Sequence, residues 1–257
     1  MDQFLAVARR AAEAARRVTL ARFGKGMSIE LKQDQSPVTE ADTLAEQAII
    51  ATIRASFPDH AFLGEESGSS GHGEFVWVID PIDGTKNFID GIPLWGTLIA
   101  LVQGDEVVLG LSDMPVLGDT VWAQKGRGPF RNGSRVHVSS RRGTDDAMVS
   151  FGSIGPFRQQ HREAGLLQLL HGCRRHRCFG DCWPFHLLAS GSLEVVVEAA
   201  IKPVDVACFD IIIREAGGRF SDLDGKPFSF DISDVAATNG LVHDEVLAYL
   251  EPGECEE

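Results

Sequence analysis

The apolar run Phe75–Ile79 stops abruptly at Asp80-Pro81-Ile82-Asp83-Gly84-Thr85. This reads as a buried strand that ends in carboxylate. Strand and helix signals alternate through the rest of the chain, in both halves, which implies layered α and β structure. Phe4, Val7, Ala8, Ala11, Ala14, Ala15 and Val18 recur at helical spacing and predict an amphipathic N-terminal helix. A second helix is expected over Thr39–Ser56, opened by Thr39 and Asp42 in the manner of a capping box, with Leu44, Ala48, Ile49 and Ile53 as its apolar stripe. Strands are expected at Thr97–Gln103, Glu106–Leu111 and Thr120–Gln124, and Asn132-Gly133 predicts a hairpin turn. Further on, the pattern predicts a strand at Ala147–Phe151, helices near Gln159–His171 and Trp183–Ser190, and a strand at Leu193–Glu198. A helix over Val204–Ala216 is stopped by Gly217-Gly218, short apolar segments follow at Arg219–Ser221 and Ala236–Thr238, and a last helix covers His243–Leu250.

The 257 residues suffice for one large domain or two closely packed ones. The polar stretch Arg141–Asp146 is the natural boundary, dividing 1–140 from 141–257. No apolar run reaches the roughly 18–20 residues that span a bilayer. The N-terminus has no compact apolar stretch of the secretory kind, and Asp2 and Glu13 interrupt a transit-peptide reading. The five cysteines are odd in number, which points to a reducing compartment and a cytoplasmic location. Cys173, Cys178 and Cys182 lie near His171 and His176, but without the regular spacing of a structural zinc site. The net charge of −13 disfavours a nucleic-acid scaffold, whereas an anionic phosphate can still be held where metal ions sit between it and the carboxylates.

Asp80 and Asp83, three residues apart around a turn, can face one site, and hard cations such as Mg²⁺ take oxygen ligands in octahedral array. Gly84 permits close backbone approach, and a short helix opening at Thr85 would present free N–H groups to a phosphate. Taken alone the segment could equally be a capped turn. Glu65-Glu66 could be solvated surface, and Asp42 and Asp205 could be helix-capping residues.

Together these segments carry a resemblance. Pro37–Asp42 (PVTEAD), Gly64–Gly68 (GEESG), Trp77–Phe88 (WVIDPIDGTKNF), Phe179–Trp183 (FGDCW), Val204–Gly218 (VDVACFDIIIREAGG) and Ala237–Leu247 (ATNGLVHDEVL) stand in the order found in the inositol monophosphatase superfamily. The chain most resembles its histidinol-phosphate phosphatase branch. That resemblance implies a layered α-β-α-β-α sandwich, a homodimer, and a phosphomonoesterase using two or three Mg²⁺ ions. Glu65, Asp80 and the Ile82 carbonyl would hold one ion, and Asp80, Asp83 and Asp205 a second. Thr85 and Asp42 would activate water, and the amides of Gly84 and Thr85 would hold the phosphate. Asp83, Asp181 and Glu198 would contact the substrate, the last two at the leaving alcohol. Two acids there suit an amino alcohol, hence L-histidinol phosphate. Val204 stands where the family often has Trp, and Lys86 is expected to point to solvent. An inositol monophosphatase, a broad sugar- or nucleotide-phosphate phosphatase, and a silent metal-binding relative are the competing readings. No nucleophile loop, no G-x-S-x-G elbow and no nucleic-acid reader motif is evident.

Overall fold

A computed structural model describes residues 2–25, 29–31 and 37–253. Cys255 lies outside the described residues. The elements run α1 (Asp2–Leu20), β1 (Ile29–Leu31), β2 (Pro37–Thr39), α2 (Glu40–Arg54), β3 (Ala61–Gly64), β4 (Gly68–Ser70), β5 (Phe75–Asp83), α3 (Thr85–Ile89), β6 (Gly96–Gln103), β7 (Glu106–Met114), β8 (Asp119–Gln124), β9 (Gly128–Arg131) and β10 (Ser134–Arg135). A 3₁₀ turn at Thr144–Asp146 leads into β11 (Met148–Phe151), α4 (Ile154–Gln159), α5 (Glu163–Gly172), β12 (Arg175–Arg177), α6 (Trp183–Ala189), β13 (Val195–Ala199), α7 (Pro203–Glu215), β14 (Arg219–Ser221), β15 (Asp234–Thr238) and α8 (His243–Tyr249).

Two large sheets result. The first has eight strands in the order β10-β9-β8-β7-β6-β5-β3-β4, antiparallel except where β3 runs parallel to β5. The second has five, β12-β11-β13-β15-β14, with β12, β11 and β13 parallel. Because successive side chains point to opposite faces, each strand feeds two cores. On β5, Trp77 and Ile79 face α1 and α2, meeting Val7, Ala11, Ile49 and Ile53. Val78 faces the other way, with Leu98 and Ala100 of β6, onto α6 and α7. On β13, Val196 joins this middle core, while Val195 and Val197 join Leu166, Leu169 and Val246 beyond the second sheet. The layers are therefore helix pair, sheet, helix pair, sheet, helices: the α-β-α-β-α sandwich. Helix α7 lies between both sheets, which explains why Val206, Cys208, Phe209, Ile211, Ile212 and Ile213 are all buried over its middle turns, with Asp210 the one charged residue among them, paired to Arg214. Gly110 of β7 makes that contact possible, since a Cβ there would lie 2.1 Å from the Cys208 carbonyl oxygen.

Three departures from the sequence expectations are local. The helix predicted near Gln159–His171 begins only at Glu163 as α5, and a short helix that was not predicted, α4, precedes it, the two separated at His161 with φ 57. Strand β5 continues past Asp80 to Asp83 through an irregularity in its pairing with β6. The short strands β1, β2, β3, β4 and β12 were not anticipated. The hairpin turn forms as predicted, with Asn132 at φ 50 and Gly133 at φ 84, the two left-handed residues of a type I′ turn.

Candidate active site

The end of β5 organises the site. Ordinary ladder pairing with β6 breaks between Asp80 and Asp83, and the Asp80 carboxylate accepts from the Ile82 N–H at 2.9 Å. Thr97 donates to the Pro81 carbonyl at 2.8 Å and fixes the turn from below. Strand β3 runs parallel beside it, and the Glu65 N–H continues the ladder to the Ile79 carbonyl at 3.0 Å. Glu65 and Asp80 thus leave neighbouring parallel strands at their carboxyl ends, where open α/β sheets form ligand crevices.

Three helix starts converge on the same place. Thr39 caps α2 in a capping box with Asp42, whose Oδ2 accepts from the Thr39 N–H at 2.8 Å and its hydroxyl at 2.6 Å. The other oxygen, Oδ1, accepts from the Thr85 hydroxyl at 3.2 Å, and that hydroxyl also stands 3.0 Å from the Ile82 carbonyl. Gly84 precedes α3 with φ 87, a conformation that disfavours any L side chain. Asp205 sits at the third position of α7, not at its cap as the sequence allowed, and accepts from the Lys202 N–H at 2.8 Å.

A cavity of about 540 Å³ is lined by Glu65, Asp80, Ile82, Asp83, Gly84, Thr85, Lys86, Asp181, Lys202 and Asp205. A second of about 540 Å³ shares Asp83, Lys86, Asp181 and Asp205 and extends past Gly152, Cys178, Phe179 and Glu198. Every sequence-predicted site residue except Asp42 lines one of the two, and Asp42 lies just behind Thr85. Lys86, exposed as expected, stands at the border of both cavities. Val204 is buried in the middle core.

Electrostatically the site is frustrated as it stands. Burial, then repulsion from Glu65, Asp83 and Asp205, raises Asp80 well above the usual carboxylate range. Burial and the Asp181 and Asp205 charges do the same to Asp83. Burial raises Asp205 to about 6, with Glu65 adding to it, and burial also raises Asp42. The buried Asp83 Oδ2 has no hydrogen-bond partner. Lys202 reaches Glu65 at 3.7 Å across partly open space. A cluster of this kind calls for cations, and its all-oxygen donor set suits a hard divalent ion. The donors are not drawn into a closed cage, since no three His, Cys, Asp or Glu side chains among the described residues form a ready-made ligand group. In the second cavity burial lifts Glu198 to about 8 and Asp181 to about 6. Glu198 Oε1 is buried and unpartnered. Asn87, which sequence reasoning passed over, donates to the carboxylate of Asp181 at 2.8 Å, and Asp181 itself has an unusual φ of 51.

A model of the inositol monophosphatase family matches residues 1–253. The histidinol-phosphatase of Streptomyces coelicolor is 40% identical over 249 residues, covering 93% of each chain. That of Mycobacterium tuberculosis is 38% identical over 259 residues, covering 98% of each. Among solved structures, the extragenic suppressor protein SuhB of Bartonella henselae matches with a TM-score of 0.91 at 28% identity, over 98% of this chain and 99% of that one. The chain belongs to the inositol monophosphatase family. It is a phosphatase of that family, whose members use metal ions and act on small phosphate esters. Among the described residues no helix is long and apolar enough to cross a membrane.

Proposed function

We propose that this phosphatase is Mg²⁺-dependent and hydrolyses L-histidinol phosphate to L-histidinol and phosphate. The observation that carries the substrate is the second cavity. Its wall holds the buried Glu198 and the half-buried Asp181 beside Asp83 and Asp205, and Glu198 Oε1 is an oxygen that no hydrogen bond in the protein satisfies. An ammonium or imidazolium on the leaving alcohol would satisfy it, and its charge would draw Glu198 and Asp181 back to their ionised forms. A neutral polyol supplies hydrogen bonds but not the charge.

Glu65, Asp80 and the Ile82 carbonyl would hold one Mg²⁺, and Asp80, Asp83 and Asp205 a second; the resemblance to the family implies two or three in all. Bound there, the ions would supply charge neutralisation for phosphoryl transfer. The protein's own residues do the rest. The N–H groups of Gly84 and Thr85, where α3 begins, would bind phosphate oxygens. The Thr85 hydroxyl donates to Asp42, so its oxygen is available to accept a proton from an attacking water, and Asp42 can receive the proton that Thr85 passes on. Burial of Asp42 favours that acceptance. Asp83 borders both cavities and would touch the ester between them.

The two sheets, built from residues on either side of Arg141–Asp146, support reading 1–140 and 141–257 as subdomains, with Asp205 brought from the second to the first. The resemblance to the family further supports a cytoplasmic homodimer. The test is phosphate release from histidinol phosphate with and without Mg²⁺, beside Asp80→Asn. Release that survives chelation, or that Asp80→Asn leaves intact, would refute the metal assignment.

A further inference from the structure

We propose that Glu46, on α2, positions the turn that carries Glu65 and thereby sets metal affinity. This rests on the reading of Glu65 as a metal ligand. Glu46 is 2% exposed, inside the molecule between α2 and the end of β3. Its Oε2 accepts from the Glu66 N–H and its Oε1 from the Ser67 N–H, both at 2.9 Å. These are the two backbone groups that directly follow Glu65. The Glu65 N–H itself is held by the Ile79 carbonyl. The backbone on both sides of Glu65 is therefore fixed, by β5 on one side and by a buried carboxylate on the other. Backbone N–H donors satisfy a carboxylate that burial has taken away from water.

Gly64 shows how closely the two parts are fitted. A Cβ at this position would lie 2.6 Å from the Glu46 carboxyl carbon and from Oε2. The glycine that ends β3 is thus the space Glu46 occupies. Glu46 also stands four residues after Asp42, one helical turn along the same face of α2. One helix then holds the acid behind Thr85 and, a turn later, the clamp on Glu65. Outer groups that orient ligands of this kind act on the metal without touching it.

The test titrates Mn²⁺ onto the substrate-free protein and counts free Mn²⁺ by electron paramagnetic resonance. It compares wild type, Glu46→Gln, Glu65→Gln and Gly64→Ala. Glu46→Gln should bind Mn²⁺ about 10- to 100-fold more weakly, and hydrogen exchange at the Glu66 and Ser67 amides should accelerate. Gly64→Ala should weaken binding from the other side, and should cost much less in a Glu46→Ala background, where its obstacle is gone. If Glu65→Gln weakens binding but Glu46→Gln does not, the positioning role is wrong and the metal reading survives. If Glu65→Gln binds like wild type, the ligand assignment fails and the inference with it. Asp119→Ala, destabilised at a distance, is the control: an equal loss of Mn²⁺ affinity there would assign the effect to general loosening and overturn the proposal.

Discussion

Gly152→Ala tests the proposed leaving-group cavity with a single methyl. Gly152 has no positive φ, so alanine can adopt its backbone, and the only severe obstacle is Glu198. A Cβ at 152 would lie 1.9 Å from Glu198 Oε2, whereas ordinary contact begins at 3.4 Å. The carboxylate must therefore retreat by about 1.5 Å or swing out of the cavity. A misplacement of about 1 Å at a reacting complex can cost ~100-fold, which corresponds to ~2.7 kcal/mol of transition-state stabilisation. We expect kcat/KM for histidinol phosphate to fall by about that factor, and the fall for inositol 1-phosphate, with no cation to pair, to stay within ~10-fold. The assay is steady-state phosphate release on both esters, with Glu198→Ala and the double variant beside it. In the Glu198→Ala background the methyl meets nothing comparable, so Gly152→Ala should then cost little. Equal losses on both esters, or an undiminished penalty in the double variant, would refute the reasoning.

Thr85→Val and Asp42→Asn should each lower kcat by roughly 10²- to 10⁴-fold while leaving Mn²⁺ affinity near wild type, as expected of a proton-relay pair; rapid-quench phosphate release alongside metal titration checks this. The buried Asp119 accepts from the half-buried Arg131 at 2.8 and 2.7 Å and faces the buried His186 at 3.1 Å, so Asp119→Ala should cost about 3 kcal/mol in urea unfolding, and a loss under ~1 kcal/mol would contradict it. Burial, with repulsion from Arg219, holds the His243 imidazole down to about 4, below the usual 6.5. Between those values the unfolded chain takes up a proton that the fold does not, so stability present above pH 6.5 is lost as pH falls toward 4, by up to ~1.4 kcal/mol per pH unit. Urea midpoints against pH should show that slope reduced in His243→Gln; an unchanged slope would locate it elsewhere.

Much of this architecture is legible in the chain because its strands and helices answer to different apolar periods. Trp77 and Ile79 alternate with Val78, and Leu44 to Ile53 follow a helical stripe. The Thr39–Asp42 capping box and the Asp80–Thr85 turn announce themselves through residue types with specific backbone demands. What escaped notice lacks such signals. Strands β3 and β4 are four and three residues long. Strand β12 is Arg-His-Arg on an exposed edge, with no apolar alternation to mark it. The break at His161 is a left-handed residue that is neither Gly nor Asn, so nothing in the local sequence advertises it. Within the site, the acids were recognisable as a set, yet their spacing could not separate a ligand from a cap. Asp42 proves to be both a member of the capping box and the partner of Thr85. Gly152, Asn87 and Glu46 are invisible to pattern reading because their importance lies in what the fold brings against them: Glu198, Asp181 and the turn after Glu65.

The most direct measurement is the ratio of kcat/KM for histidinol phosphate to that for myo-inositol 1-phosphate, taken at saturating Mg²⁺. The proposed contacts of Asp181 and Glu198 with the leaving group predict a ratio well above ~10, collapsing toward one when both are made amides. A wild-type ratio near one, or a high ratio that survives both substitutions, would contradict the account of how this site chooses its ester.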